Sequence, residues 1–174
     1  MKTRDIVLIG VFAAMICVFA PFSVPVGPIP ISLASFAVYI ASALGAKKGC
    51  AAVGIYILIG ALGLPVFSGF SGGISKIAGL TGGYIIGYMF CALLSGIIIE
   101  RAGNKKSAYP MAFIIGTAAL YAFGTAWFMI QSGNGLYESL LACVIPFLIG
   151  DAVKIAAASV VVYRLRNYNF VQAL

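Results

Sequence analysis

The chain has 174 residues, of which 63% are hydrophobic and 9% are charged, and its mean hydropathy is +1.11. A soluble domain is about 45–50% apolar and about 25% charged, and so short a chain cannot bury this much apolar surface in one aqueous core. The net charge of +7 does not indicate a nucleic-acid partner, because no basic run is interleaved with aromatic residues. The composition predicts a protein in contact with membrane lipid.

Long uncharged stretches separate the charged residues and are long enough to cross a bilayer. They cover residues 6–46, 49–75, 77–99 and 107–137. A helix needs about 20 apolar residues to cross roughly 30 Å of hydrocarbon, so the first stretch has room for two crossings and each of the others for one. Proline and glycine clusters divide the stretches, because proline removes a backbone donor and ends a helix.

We predict a single membrane domain over residues 1–174 that is all-α and contains six transmembrane helices. In chain order these helices cover approximately residues 5–20, 31–46, 50–64, 83–99, 110–131 and 139–163. The first helix lies where a secretory signal would lie, but Pro21 directly after Ala20 makes a poor cleavage site. We therefore interpret this segment as a membrane helix that is retained.

Lysine and arginine are concentrated on one side of the predicted bundle. The side that carries both termini holds Lys2, Arg4, Lys47, Lys48, Arg101, Lys105, Lys106, Arg164 and Arg166. Among the loops on the other side, Lys76 is the one cation, while Lys154 falls within a helix. Because basic loops stay in the cytoplasm, we predict a multi-pass protein of the cytoplasmic membrane with both termini cytoplasmic.

Two charged residues, Asp151 and Lys154, interrupt the last predicted helix. Asp151 lies about 18 Å along the axis from residue 139, near the midplane, where a charge costs at least about 2.5–3.5 kcal/mol. The i,i+3 spacing places both side chains on one face, pointing toward the outer half of the bundle. An aspartate accepts from N–H donors and a lysine can hold a carboxylate. The two residues form either a site for a ligand that is polar at both ends or a structural pair that neutralises itself.

A glycine-rich loop, residues 68–84, precedes the fourth predicted helix on the outer side. Glycine lets backbone N–H groups approach a ligand closely, and a helix N-terminus favours anions. Lys76 within this loop either attracts an anionic solute or is simply solvated. No Gly-Lys-Ser/Thr sequence follows the glycines, so the loop is not a phosphate loop for ATP.

Small residues recur at four-residue spacing in three of the predicted helices. One series leads from the loop into the fourth helix and consists of Gly79, Gly83, Gly87, Cys91 and Ser95, and the fifth helix has Ala118, Ala122 and Ala126. Such series let helices pack closely in lipid, and packing within the bundle explains these two. In the first helix, the pairs Gly10 with Ala14 and Ala13 with Cys17 form a smooth strip that either docks a partner helix or packs within the bundle.

The chain offers little for catalysis or metal binding, because it contains no histidine and only four acidic residues. A His-based metal site and a catalytic triad are excluded, and general acid–base catalysis is poorly provided. We predict no enzymatic activity, no metal site and no cofactor. An ion- or proton-conducting protein that uses the Asp151–Lys154 pair remains the alternative function, although a relay needs further titratable residues across the bundle.

A combination of motifs extends over nearly the whole chain. The motifs are Pro30-Ile31-Ser32-Leu33, the segment 60–69 with Gly72-Gly73, Thr81-Gly82-Gly83-Tyr84, and the segment 146–154, which contains Gly150-Asp151-x-x-Lys154. Together they resemble the biotin-specific substrate-binding (S) components of energy-coupling-factor (ECF) transporters. The resemblance implies a six-helix bundle of the ECF S-component type that binds biotin with high affinity near the outer face. It also implies uptake driven by a transmembrane coupling subunit and two ATPase subunits.

The same resemblance implies roles for individual residues. Asp151 and Lys154 would contact the ligand. The loop from Gly73 to Tyr84 would cover the pocket, with Lys76, Thr81, Gly82 and Gly83 as further candidate contacts. The residues facing the coupling subunit would be Gly10, Ala13, Ala14 and Cys17. On this basis we hypothesise that Asp151 accepts from the ureido N–H groups of biotin, while Lys154 or Lys76 meets its carboxylate.

Overall fold

The computed structural model of the chain describes residues 3–102 and 105–167, with side chains to residue 165. Lys2 and the side chain of Arg166, which entered the charge count, lie outside this part. The described elements in chain order are α1 (Thr3–Phe19), β1 (Ser23–Val24), β2 (Ile31–Ser32), α2 (Ala34–Ser42), α3 (Ala46–Ala61), α4 (Ile74–Ala78), α5 (Gly82–Ala102), α6 (Ala108–Ser132), α7 (Leu136–Cys143) and α8 (Ile145–Asn167).

The longest described helices have the length and the apolar surface of membrane helices. Among the described residues, three helical segments are long and apolar enough to cross a membrane, namely α5, α6 and Ile145–Leu165 of α8. Large apolar side chains point outward from the bundle: Leu62 and Ile130 are each 82% exposed and Ile149 is 80% exposed. Contiguous exposed apolar surface marks a protein that meets lipid or another protein, so the predicted helical membrane protein is confirmed at this level.

Helices α5 and α6 approach each other closely because glycines on each helix leave room for large side chains of the other. A Cβ atom at Gly83 would lie 2.6 Å from Cγ of Trp127 on α6. In the opposite direction, a Cβ atom at Gly124 would lie 2.7 Å from the Tyr84 ring on α5. Gly83, one of the small residues predicted to pack within the bundle, therefore packs at this interface.

The second helix is shorter than the predicted segment 31–46. Ile31 is instead hydrogen-bonded in an antiparallel hairpin, opposite Val24, and α2 begins at Ala34. At the other end, Gly45 has φ +93°, which a helix cannot contain, so the chain turns there. The third helix begins directly afterwards at Ala46, whose backbone N–H donates to Oε1 of Glu100 at 3.0 Å.

The predicted last helix, 139–163, is divided into α7 and α8. Val144 between them has φ −121° and ψ −53°, and Pro146 follows two residues later. Proline lacks a backbone N–H, and its ring clashes with the carbonyl four residues earlier, so α7 ends before it. Counted from the start of α8 at Ile145, Asp151 lies about 9 Å along the helix axis.

Candidate ligand-binding site

Asp151 is the residue at which α2, α6 and α8 meet. Its side chain is almost fully buried, with a relative exposure of 5% for the residue. Oδ1 accepts hydrogen bonds from Nζ of Lys154 at 2.9 Å and from the hydroxyl of Ser35 at 3.3 Å. Oδ2 accepts from the hydroxyl of Tyr121 at 2.5 Å. A carboxylate buried in this way is neutralised and hydrogen-bonded rather than left unpaired.

Lys154, one turn further along α8, is held by three acceptors. Its ammonium group donates to Asp151, to the backbone carbonyl of Ser32 at 2.7 Å and to the hydroxyl of Ser35 at 3.2 Å. An ammonium group has three N–H donors, so all of them are in use. One of the two alternatives predicted for Asp151 and Lys154, an ion pair between them, is therefore present. The other two acceptors for Lys154 come from Ser32 in β2 and from Ser35 in the first turn of α2.

A cavity lies directly beside this pair. It encloses about 640 Å³ when its open mouth is included. Its lining residues are Ile29, Pro30, Ser32, Ser35, Tyr56, Phe67, Ser68, Ser71, Lys76, Thr81, Tyr84, Ile85, Tyr88, Leu120, Tyr121, Phe147, Asp151 and Lys154. Aromatic walls with a few convergent polar groups suit a ligand that is apolar in the middle and polar at its ends.

Two loops, residues 20–33 and 62–73, contribute to one end of the cavity and are joined to each other. The backbone N–H of Gly69 donates to the carbonyl of Pro21 at 3.0 Å. The rings of Phe22 and Phe70 meet edge to face, with centroids 5.6 Å apart. These two contacts make the loops a single cover on the cavity.

Phe67 anchors the second of these loops. The residue is 1% exposed, and its ring fills the space left by the missing side chain of Gly60, where a Cβ atom would lie 2.7 Å from Cε2 of the ring. The same ring packs edge to face on Tyr56 at a centroid distance of 5.5 Å. Phe67 thereby fixes both the loop and one wall of the cavity.

The structure brings together five of the eight residues predicted as ligand contacts. Asp151, Lys154, Lys76, Thr81 and Tyr84 all line the cavity. Asp151 and Lys154 lie at its buried end, whereas Lys76 on α4 is exposed. The arrangement therefore places a buried acid–base pair and a separate exposed cation in the same cavity.

The three glycines predicted as contacts do not line the cavity. Gly83 faces Trp127, as described above. Gly82 lies against the backbone of α4, where a Cβ atom would be 2.6 Å from the carbonyl carbon of Ile77. Gly73 starts α4 with φ +96°, and its N–H donates to the carbonyl of Gly60 at 2.7 Å. These positions support the wall of the cavity through the backbone.

Tyr84 has two functions in the structure, because its ring lines the cavity and its hydroxyl closes the break in the last helix. The hydroxyl donates to the carbonyl of Cys143 at 3.2 Å and lies 3.3 Å from Oγ1 of Thr125. Its ring is nearly parallel to that of Phe147, with centroids 6.5 Å apart. A change at Tyr84 therefore affects both the cavity and the α7–α8 junction.

Several cavity residues were not predicted as ligand contacts. They are Ser32, Ser35, Tyr56, Tyr88, Tyr121 and Phe147. The two serines are spaced i,i+3 in an otherwise apolar stretch, a pattern that could have indicated a polar face. Tyr121 gave no such signal, because its partner Asp151 lies 30 residues away in sequence.

The small residues of α1 do not form one surface. Gly10 and Ala14 are exposed, and a Cβ atom at Gly10 would meet nothing within 4 Å. Ala13 is only 1% exposed and belongs to the core of the bundle, and Cys17 is partly buried against that core. Ala13 is therefore packed inside the bundle rather than presented to a partner, whereas Gly10 and Ala14 are open to one. Docking of a partner on this helix stays a prediction.

The fold and the cavity define a helical membrane protein that can bind a small solute within the bundle. The chain belongs to the BioY family, which it matches over residues 1–169. It is an integral protein of the cytoplasmic membrane and a transporter-family subunit rather than an enzyme. This class agrees with the family predicted from the sequence motifs.

Individual relatives are similar along almost their full lengths. A Pyrococcus horikoshii protein named "Probable biotin transporter BioY" is 37% identical over 168 residues, which are 96% of this chain and 99% of that protein. The Thermotoga maritima protein named "Biotin transporter BioY" is 33% identical over 94% of this chain and 96% of its own length. A crystal structure described as the S-component for biotin from an ECF-type ABC transporter superimposes with a TM-score of 0.86, at 28% identity, over 95% of this chain and 92% of that one.

Proposed function

We propose that the chain binds biotin with high affinity and is the substrate-recognition subunit of an ATP-driven ECF-type transporter. The observation that carries this proposal is the covered cavity with the buried Asp151–Lys154 pair, in a fold shared with an S-component for biotin. Family membership and the names of the relatives support the same ligand. Because the chain has no phosphate loop for ATP, active uptake requires ATPase subunits as partners, joined through a transmembrane coupling subunit.

We propose that the chain crosses the membrane six times, with α7 and α8 together forming the sixth crossing. The other five crossings are α1, the segment from β2 through α2 to Gly45, α3, α5 and α6, since the nine residues of α2 alone extend only about 14 Å. Both termini, the basic first turn of α3 and the basic turn before α6 then lie in the cytoplasm, in agreement with the distribution of positive charge. The hairpin β1–β2, the short helix α4 and the cover of the cavity lie on the outer side, where biotin arrives.

Asp151 is suited to the ureido ring of biotin, which carries two N–H donors. An ionised carboxylate has about four acceptor positions, and three of them are used by Lys154, Ser35 and Tyr121. The remaining position can accept from a ureido N–H inside the cavity. Because the carboxylate is already fixed by three donors, little conformational freedom is lost when the ligand binds.

Lys76 is better placed than Lys154 to meet the carboxylate of biotin. All three donors of Lys154 are occupied, so a ligand carboxylate would have to displace one of them. Lys76 lines the cavity and is exposed, and its ammonium group has no hydrogen bond or ion pair within residues 3–102 and 105–165. The aromatic side chains of Tyr56, Phe67 and Phe147 would then pack around the sulfur-containing ring.

The exposed strip of α1 is the surface we assign to the coupling subunit. Gly10 and Ala14 lie on it with no side chain of the bundle above them. The neighbouring Val7, Val11 and Val18 are each about 60% exposed. Small residues at this spacing allow two helices to approach closely in lipid, and Cys17 lies at the edge of the strip.

Calorimetric titration of biotin into the detergent-purified chain tests the assigned function, with thiamine as the control ligand. We expect biotin to bind and thiamine not to bind. Asp151→Asn and Lys76→Ala should each weaken biotin binding at least ten-fold, an effect of about 1.4 kcal/mol, while Lys47→Ala should not. Unchanged biotin affinity in both cavity variants would contradict the assignment of Asp151 and Lys76 as biotin contacts. Proton flux into liposomes without biotin would instead favour the ion-conducting alternative.

A further inference from the structure

A second cavity lies between α6 and α8 and shares Tyr121 and Asp151 with the first. It measures about 850 Å³ when its open side is included. Alanines on the two helices, Ala118 on α6 with Ala152 and Ala156 on α8, leave this space open because none of them reaches across it. All three are exposed, so the cavity is a groove on the outer surface of the bundle.

The polar groups at the inner end of the groove already have partners. Oγ1 of Thr117 donates to the carbonyl of Phe113 at 2.7 Å and lies 2.5 Å from the hydroxyl of Tyr39. The hydroxyl of Tyr121 donates to Asp151. Ordered water needs two to four polar partners in a cavity, and these groups offer few. An apolar occupant fits the groove better than water does.

The length of the groove corresponds to one leaflet of a bilayer. Along α6 it extends from Pro110 to Tyr121, a distance of about 16 Å, and one leaflet supplies about half of the roughly 30 Å of hydrocarbon. On the orientation proposed above, Pro110 lies near the cytoplasmic face and Tyr121 near the middle of the bilayer. The groove therefore has the length and the position of one acyl chain in the inner leaflet.

A cation joins the ends of the two helices beyond the cytoplasmic end of the groove. Nζ of Lys106, just before α6, lies 4.5 Å from the ring centroid of Tyr163, near the end of α8. This contact places a positive charge between the two helices that form the groove. Lys105 and Arg164 are exposed nearby in sequence, at the start of α6 and the end of α8. Clustered cations next to a membrane attract anionic headgroups.

We propose that the groove between α6 and α8 binds one acyl chain of an anionic phospholipid from the inner leaflet, with the headgroup phosphate at Lys106 and Arg164. The methyl end of the chain then rests against Tyr121, which donates to Asp151. The lipid completes the wall between the membrane and the ligand cavity. This inference rests on the orientation given under the proposed function, but it does not require that the ligand be biotin.

Native mass spectrometry of the detergent-purified chain, incubated with equal amounts of phosphatidylglycerol and phosphatidylcholine, tests the inference. We expect one phosphatidylglycerol per chain. Ala118→Phe and Ala156→Phe fill the groove from opposite helices and should each lower its retention on the order of ten-fold, because each displaced methylene is worth a factor of about four. The matched controls Ala126→Phe and Ala157→Phe, exposed positions on the same helices outside the groove, should retain the lipid.

The headgroup assignment is tested separately by Lys106→Gln and Arg164→Gln, which leave the groove itself unchanged. Each should lower the preference for phosphatidylglycerol about five-fold, whereas Lys47→Gln should not. The inference is overturned if no lipid is retained, if the filled-groove variants retain as much as their controls, or if the two phospholipids bind equally. A wild-type dimer that Ala118→Phe dissociates would also overturn it, since a second copy would then occupy the groove. Biotin is titrated into the same samples. Loss of biotin binding with the lipid retained would contradict the ligand assignment alone, and loss of the lipid with biotin bound would contradict the lipid assignment alone.

Discussion

Helix α6 meets its neighbours α5 and α8 in opposite ways. Toward α5, two glycines receive a ring from the other helix, in the pairs Gly83 with Trp127 and Gly124 with Tyr84. Toward α8, small residues face small residues across a groove, and the helices are linked at mid-length by the hydrogen bond from Tyr121 to Asp151. The first interface is filled by apolar contacts, and the second is bridged by polar ones.

The difference shows that a small residue does not by itself bring two helices together. At Gly83 and Gly124 the space left by the missing side chain is filled by a ring of the other helix, so no void remains. Where both helices contribute alanine, as at Ala118 and Ala152, the space stays open and a polar pair has to hold the helices.

The largest effect should come from Lys154→Met, which removes the cation from the polar bridge. A buried charge left without its partner costs about 3–5 kcal/mol of unfolding free energy, measured as thermal unfolding in detergent. Asp151→Asn combined with Lys154→Met should recover most of this stability, because no unpaired charge remains. Biotin binding should be lost in both. If the double variant is no more stable than Lys154→Met alone, charge pairing is not the interaction that fixes α8 to its neighbouring helices.

On the other side of α6, Gly83→Ala should destabilise the protein by about 3 kcal/mol, the upper part of the range for overpacking. The added methyl group meets Cβ and Cγ of Trp127, which cannot move without the backbone. The matched control is Gly54→Ala in α3, where a Cβ atom meets nothing within 4 Å. That control should leave the melting temperature unchanged or raise it, and equal losses in the two variants would contradict the packing argument.

Tyr121→Phe should have a smaller effect of about 1.5 kcal/mol, since it removes one hydrogen bond to a charged acceptor. Asp151 keeps its contacts with Lys154 and Ser35, so the chain should still fold. Biotin affinity should fall because the carboxylate is held less firmly. Tyr137→Phe, at a residue that is 75% exposed, serves as the control. Identical stability and affinity for the two variants would exclude Tyr121 from the bridge.

The smallest effect should come from adding volume to the open side of α6. Ala118→Leu places three more carbon atoms in the groove, where they meet no opposing side chain, and should change stability by no more than about 0.5 kcal/mol. Thermal unfolding of this variant and of Gly83→Ala, measured side by side, compares the α6–α8 interface with the α5–α6 interface. A loss as large as that of Gly83→Ala would mean that α6 and α8 are packed more tightly than the groove indicates.

The sequence was most informative where a residue is costly in its surroundings. Asp151 and Lys154 stand in an apolar helix, and their cost in lipid identified them without knowledge of their neighbours. The bond from Tyr121 could not be foreseen in this way, because tyrosine is tolerated in membrane helices and its partner is distant in sequence. Gly82 and Gly83 were predicted as ligand contacts because glycine suits close approach, but the approaching groups are Ile77 and Trp127 of the same chain.

The helix ends illustrate the same limit. Uncharged length and proline predicted membrane helices, but the hairpin that shortens α2 depends on pairing between Val24 and Ile31, and two-residue strands leave no pattern in the sequence. Pro146 did carry a readable signal for the break between α7 and α8. The long apolar stretch around it concealed that signal, because apolar length predicts a span without showing whether the span is continuous.

The joined loops over the cavity have a consequence for kinetics. The bond from Gly69 to Pro21 and the contact of Phe22 with Phe70 couple the two loops, so the loops cannot separate without breaking both contacts. A molecule too large for the existing mouth therefore enters and leaves at the rate of this one coupled opening.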